Sequence, residues 1–89
     1  MSVILYTKPR CVQCDATKRL LVRENIPFQS VDLTEDQDAF EYVTKELGYN
    51  AAPVVVLDGG QMVSATDGGV MVHWSGFRPD LLAQLAVDN

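Results

Sequence analysis

Two cysteines stand three positions apart, in Cys11-Val12-Gln13-Cys14, and they are the only cysteines in the 89 residues. A pair at this spacing supports several chemistries. As a structural disulfide it would close so short a loop that it removes only ~2 kcal/mol of unfolded-state entropy in the chain model. Disulfides of cytosolic proteins are also uncommon unless they cycle. As a zinc site the pair lacks partners: four ligands are needed, and the chain adds only His73, expected on a strand face. Two thiolates do suit Cu(I), so a metal carrier is a rival. In dithiol redox chemistry one cysteine attacks a disulfide in another molecule and the second resolves the mixed disulfide. Cys-x-x-Cys near a βαβ pattern is the signature of that last use.

The surrounding elements must position the pair. Val3-Ile4-Leu5-Tyr6 is a continuous apolar run ended by Lys8-Pro9, which reads as a strand covered on both faces. From Cys11 to Glu24 the period changes. Val12, Ala16 and Leu20 recur every four residues with Leu21 beside them, while Lys18, Arg19 and Arg23 fall elsewhere, which predicts an amphipathic helix. Asn25 is a left-handed stop and Pro27 prevents continuation. Cys11 thus falls at a helix N-terminus, where unpaired amides and the dipole favour a thiolate. Lys8 and Arg10 add positive charge there, and Asp15 opposes it.

Phe28 to Asp32 reads as a second strand, less apolar and so nearer an edge. Thr34 with Gln37 three residues later reads as a capping box, with Glu35 and Asp36 in the first turn. Phe40, Val43 and Leu47 then line a second helix that Gly48 stops. Val54 to Leu57 is a third, β-branched strand and Val70 to Trp74 a fourth. Pro79 to Val87 is a last helix burying Leu81, Leu82 and Leu85, with Pro tolerated in its first turn. The order β-α-β-α-β-β-α predicts one three-layer α/β domain over residues 1–89. Copper carriers with a Cys-x-x-Cys after the first strand run β-α-β-β-α-β, with a strand where this chain has a helix. The connection at 58–69 is long. Asp58-Gly59 and Asp67-Gly68 mark turn points, and residues 61–66 either form a short strand or stay a loop. Met62 and Val63 are then either a contact or the filler of a small hairpin.

Four stretches together resemble the NrdH-redoxins, glutaredoxin-like proteins with thioredoxin-like behaviour. They are Tyr6-Thr7-Lys8-Pro9, Cys11-Val12-Gln13-Cys14 with Ala16-Thr17-Lys18, Ala52-Pro53-Val54-Val55, and Trp74-Ser75-Gly76-Phe77-Arg78-Pro79-Asp80. The similarity spans nearly the whole chain apart from 58–69. It implies a thioredoxin/glutaredoxin-like fold with a four-stranded mixed sheet, and a cis Pro53 facing the cysteines. A cis bond there leaves the Ala52 backbone free to pair with an extended substrate segment. It also implies Cys11 as nucleophile and Cys14 as resolving thiol, with solvent or the partner taking the proton from Cys14. The implied partners are the large subunit of class Ib ribonucleotide reductase, whose disulfide is reduced, and thioredoxin reductase. Electrons would come from NADPH through the FAD of that reductase, with no cofactor bound to this chain. Lys8, Arg10, Val12, Gln13, Ala52, Pro53, Trp74, Ser75, Gly76, Phe77 and Arg78 are the residues expected to bind substrate or partner, with Trp74 partly buried.

The resemblance also bears on glutathione. Glutaredoxins usually have an aromatic residue where this chain has Gln13. They hold a glutathione carboxylate with backbone N–H groups at the start of the last helix, where Pro79 has none to give. Lys8 does match a lysine that glutaredoxins use. A glutathione-dependent glutaredoxin is therefore the alternative within the same chemistry, and a Cu(I) carrier the alternative outside it.

Composition narrows the classes. With 47% hydrophobic and 21% charged residues the chain is ordinary globular material, not a disordered tail or a disulfide-dense scaffold. The longest apolar runs are four residues, too short to span a bilayer, and no secretory segment is evident. A monomeric cytoplasmic protein is the expectation. The net charge of −5 argues against a nucleic-acid partner, which needs a basic surface. The charge is uneven: residues 1–24 carry five cations and two acids, a net +3, and residues 25–89 two cations and ten acids, a net −8. Lys18, Arg19 and Arg23 lie in the basic quarter with both cysteines, which makes them candidate docking charges.

Overall fold

The structure is a computed structural model that describes residues 2–58, 62–64 and 69–88. Its centre is the pairing of the two most apolar runs. Strand β1 (Ser2–Thr7) lies antiparallel to β3 (Val54–Asp58) and parallel to β2 (Gln29–Asp32). Strand β6 (His73–Ser75) joins the far side of β3, antiparallel, so the mixed sheet runs β2-β1-β3-β6. The less apolar β2 takes an edge, as its composition predicts.

Successive side chains on a strand point to opposite faces, and the register divides the core accordingly. Leu5 sits opposite Val55 and Val3 opposite Leu57; these four face helices α1 (Val12–Arg23) and α3 (Pro79–Asp88), meeting Leu21, Leu81, Leu82 and Leu85. Tyr6 sits opposite Val54 and Ile4 opposite Val56, and these face the other layer, with Val43, Ala39 and Leu47. That layer is α2 (Gln37–Glu41) and a π-helical turn, Tyr42–Glu46. Three layers result, a thioredoxin/glutaredoxin-like arrangement.

Several sequence expectations are corrected. Helix α1 buries Cys14, Thr17 and Leu21 rather than a Val12–Ala16–Leu20 stripe; Val12 is 79% exposed. A polar residue hides the true face from a hydrophobicity pattern. Thr17 is tolerated there because its hydroxyl donates to the Gln13 carbonyl at 2.8 Å. The end of α1 is as expected: Asn25 is left-handed at φ 57°, and the N–H groups of Asn25 and Ile26 return to the carbonyls of Val22 and Leu21.

The N-cap of α2 is Asp36, whose carboxylate accepts the Ala39 N–H at 3.0 Å, and not Thr34. Asp32 takes both the N–H and the hydroxyl of Thr34, at 2.8 and 2.6 Å, so that hydroxyl is used in the preceding turn. These bonds also hold the Asp32 carboxyl below its usual pKa. After Glu41 the backbone widens, with the Leu47 N–H reaching the Tyr42 carbonyl. The expected apolar face is kept only in part: Val43 is buried and Leu47 packs in the same cluster, while Phe40 stays 46% exposed. Gly48, left-handed at φ 81°, follows as the stop.

The single fourth strand expected over Val70–Trp74 is two. Strand β5 (Val70–Met71) pairs with β4 (Val63–Ser64) in a separate ribbon, and β6 joins the main sheet. Within 58–69 the chain therefore makes the short strand rather than only a loop. Val63 is core filler and Met62 is exposed. The turns expected at Asp58-Gly59 and Asp67-Gly68 include residues outside those described. The Gln84 amide of α3 anchors the ribbon, accepting the Ser64 N–H at 2.8 Å and donating to the Ser64 carbonyl at 2.5 Å. Among the described residues no helix is long and apolar enough to cross a membrane.

Leu5, fully buried between β2 and β3, tests this core. Leu5→Ala should destabilise the protein by about 2–5 kcal/mol, a large part of the ~5–15 kcal/mol available to a domain. The urea midpoint measures it, and a loss below about 1 kcal/mol would place Leu5 outside the core.

Candidate functional site

The end of β1 delivers the chain to the site. After Thr7, a turn with Arg10 left-handed at φ 57° brings Cys11 to the N-cap of α1. The Cys11 carbonyl accepts the Asp15 N–H at 3.1 Å and starts the helical ladder. Its sulfur plays the part that an oxygen plays in most caps, accepting the Cys14 N–H at 3.1 Å. Cys11 and Cys14 form a disulfide, with Cα atoms 5.1 Å apart. The two sulfurs are unequally placed: Cys14 is 2% exposed and Cys11 9%, at the border of the surface.

The second wall comes from the approach to β3. The Ala52–Pro53 peptide bond is cis, as the resemblance implies, and the Ala52 carbonyl oxygen lies 3.8 Å from Cys11 Sγ. Pro53 is buried, and its carbonyl accepts the Gly76 N–H at 2.8 Å. The Ser75 hydroxyl donates to the Ala51 carbonyl at 3.1 Å. The third wall is the turn from β6 to α3. Gly76 is left-handed at φ 90°, and its neighbour Phe77 donates its N–H to the side-chain oxygen of Gln13 at 3.1 Å. A Cβ on Gly76 would meet that oxygen at 3.6 Å, an ordinary contact. Backbone conformation rather than space therefore calls for glycine here.

Of the residues expected at the site, Cys11, Cys14, Gln13, Ala52, Pro53, Ser75, Gly76 and Phe77 converge. Val12 stands exposed beside Cys11, and Lys8 and Arg10 are exposed on the approach. Trp74 corrects the expectation of a partly buried, partner-facing residue. At 1% exposure it points into the α1–α3 side of the core opposite Val55, because strand alternation turns it away from Ser75. Its indole N–H has no hydrogen-bond partner among the described residues. Arg78 holds Asp80 with two bonds of 3.1 and 3.0 Å in the first turn of α3, which lowers the Asp80 pKa. His73 lies on its strand face, as expected, with Nδ1 2.8 Å from the Tyr49 hydroxyl. Tyr49 and Ala51 are site-building residues that sequence reasoning passes over; nothing in their type or spacing announces them. Of the candidate docking charges, Lys18, Arg19 and Arg23 are all exposed along α1.

Comparison with known proteins accords with this geometry. A family model for glutaredoxin matches residues 3–62. The glutaredoxin-like protein NrdH of Salmonella typhimurium is 35% identical over 85 residues, covering 96% of this chain and 89% of the relative. The Gene 56 protein of Mycobacterium phage L5 is 35% identical over 83 residues, covering 93% and 70%. The solved structure of the NrdH-redoxin from Escherichia coli superposes with a TM-score of 0.76 at 32% identity, over 96% of this chain and 95% of that one.

Two outcomes test the walls. Gln13→Ala should speed amide exchange at Phe77 by about fivefold to tenfold, the loss expected for one bond of ~1 kcal/mol. Unchanged exchange there would mean the tether is not formed in solution. Asp80, whose folded pKa is depressed, stabilises the fold above its unfolded pKa and loses that contribution as pH falls through the folded value. In Arg78→Ala the Asp80 carboxyl should titrate back towards the ordinary 3.8, followed by carboxyl-carbon NMR. An unmoved titration would show that Arg78 does not hold it.

Proposed function

Because the chain belongs to the glutaredoxin family, standing among its NrdH-like members as a thiol–disulfide oxidoreductase, we propose that it is a two-electron carrier. It takes electrons from thioredoxin reductase and delivers them to the disulfide of the large subunit of class Ib ribonucleotide reductase. The observation that carries the division of labour is the N-cap. Cys11 Sγ receives the Cys14 N–H at the positive end of α1, while Cys14 lies beneath it. In the reduced protein that donor and the helix end favour a thiolate on Cys11, and Lys8 and Arg10 add positive charge.

Cys11 thiolate attacks one sulfur of the partner disulfide; a mixed disulfide forms and the other partner sulfur leaves as thiolate, taking a proton from solvent. Cys14, losing its proton to solvent or partner, attacks Cys11 Sγ and expels the second partner thiol. Two electrons have passed, and the Cys11–Cys14 disulfide remains. Thioredoxin reductase restores the dithiol with NADPH electrons carried by its own FAD, so this chain binds no cofactor. The Ala52 backbone, next to Cys11, offers its edge to the extended segment that carries the partner disulfide, and Val12 and Phe77 flank it. The protein acts as a monomer in the cytoplasm.

Two features favour thioredoxin reductase over glutathione as the electron source. The E. coli NrdH-redoxin, similar to this chain over nearly its whole length, has a thioredoxin-like activity profile. The helix start that glutaredoxins use for the glutathione carboxylate is also closed here twice over. Pro79 has no N–H, and the Phe77 N–H is held by Gln13.

Turnover with NADPH, thioredoxin reductase and a disulfide substrate, with little in NADPH, glutathione reductase and glutathione, is the expected pattern. The opposite pattern would establish the glutathione-dependent reading, and tight Cu(I) binding without turnover in either would establish a metal carrier. Cys14→Ser should trap a mixed disulfide between Cys11 and the ribonucleotide reductase; trapping by Cys11→Ser instead would reverse the two roles.

A further inference from the structure

Between α1 and α3 the surface sinks into a groove of about 560 Å³. Its apolar lining is Ala16 and Leu20 from α1, Pro79 and Ala83 from α3, and Phe77 from the turn that precedes α3. Phe77, Pro79 and Ala83 are exposed, and Leu20 is half-buried where it packs against the core. Arg19 and Arg23 stand beside this strip, with Glu24 as the one acid of the lining. Helix α1 carries three cations, Lys18, Arg19 and Arg23, against Asp15 alone, on a chain whose net charge is −5. The cations of the chain are unequally engaged. Lys45 and Arg78 hold the carboxylates of Glu41 and Asp80 at 3.3 and 3.0 Å, and Arg23 lies 3.9 Å from Glu24. Lys18 and Arg19 meet no carboxylate among the described residues, and Arg19 Nε reaches only the Asp15 carbonyl, at 3.4 Å.

We infer that this groove seats an acidic stretch of the proteins with which the chain exchanges electrons, its carboxylates beside Arg19 and Arg23 and one aliphatic side chain on Leu20 and Ala83. This rests on the carrier reading above and adds where the partner's acids stand relative to its reacting cysteine. Phe77 joins the groove to the cysteines, since it lines the groove while its N–H is tied to Gln13. The helical rise of 1.5 Å per residue puts Arg19 about 12 Å and Arg23 about 18 Å along the axis from Cys11. An extended chain covers roughly 3.3 Å per residue, so the acids fall about four to six residues from the cysteine that Cys11 attacks. Charge selects the occupant. Carboxylates relieve the like charges of α1, whereas a second copy brings its own net −5 against the first. Exposed ion pairs add little affinity, but complementary charge sets register and speeds encounter, so the effect belongs in the rate.

The test measures second-order rates at which the reduced protein attacks peptides bearing one cysteine as a mixed disulfide with thionitrobenzoate. A Glu-Leu-Glu block, or a Gln-Leu-Gln, Lys-Leu-Lys or Glu-Ser-Glu block in its place, is set at increasing distance from the cysteine on either side, across a Gly-Ser spacer. At low salt, Glu-Leu-Glu centred about five residues away on one side should react roughly threefold to tenfold faster than Gln-Leu-Gln, with Lys-Leu-Lys slowest. The gain should fall below about twofold in ~1 M salt, where screening acts within ~3 Å. Arg19→Glu should erase it. Lys45→Glu, the same change of charge on the opposite layer, should keep most of it. Ala83→Gln, at an exposed position of the groove, should remove the advantage of Glu-Leu-Glu over Glu-Ser-Glu. Equal rates for acidic and neutral blocks, a gain indifferent to position, or a gain lost as fully in Lys45→Glu as in Arg19→Glu would overturn the groove and leave the carrier reading standing. Failure of every peptide, neutral blocks included, would overturn both. A dimer in sedimentation that Arg19→Glu dissolves would give the groove to a second copy, and the inference would fall.

Discussion

Everything at this site depends on where one helix starts. Helix α1 begins at Cys11 because β1, buried on both faces at the middle of the sheet, ends four residues earlier at Thr7 and cannot shift without exposing Leu5 and Tyr6 together. A one-residue slip would turn every side chain of that strand to the wrong face. The register of β1 against β3 therefore sets the height of the Cys11 cap above the sheet. The same pairing sets where Pro53 enters β3, so nucleophile and facing backbone are placed by one set of strand bonds.

The site is otherwise assembled from three segments far apart in sequence, joined by few bonds. Gly76 to Pro53, Phe77 to Gln13 and Ser75 to Ala51 are neutral contacts worth ~1 kcal/mol each in net terms. They orient more than they stabilise. The free energy that holds the walls in place comes from the layers beneath, where Trp74, Leu81, Leu82 and Leu85 are closed off from water. Trp74 belongs to the same short motif as Gly76 and Phe77, yet it works from below, anchoring in the core the turn whose next residues line the surface. The motif is a single stretch of chain doing two jobs on opposite faces of β6.

Sequence patterns served best where a residue's type answers to its own backbone. Asn25 and Gly48 stop helices because they accept positive φ, and the leucines of α3 are buried where their spacing put them. Patterns served worst where a polar residue is buried with a local partner. Thr17 conceals the face of α1 by bonding to Gln13, and Thr34 cannot cap α2 because Asp32 already holds it. The π turn at Tyr42–Glu46 is also illegible, since no residue in that stretch marks a widened turn.

The sequence by itself determined the chemistry: two cysteines at a helix start, a proline before a β-branched strand, and the order of elements that makes a mixed sheet between helices. Those depend on covalent spacing and local backbone preference, which any single chain displays. Only the tertiary structure decided which sulfur faces out, that Gln13 holds the Phe77 N–H, that Trp74 turns inward, and that Tyr49 and Ala51 frame a cavity beside the disulfide. Each of these relates groups separated by up to 64 positions along the chain. Such relations exist only once the sheet register and the packing of its two faces have set the distances.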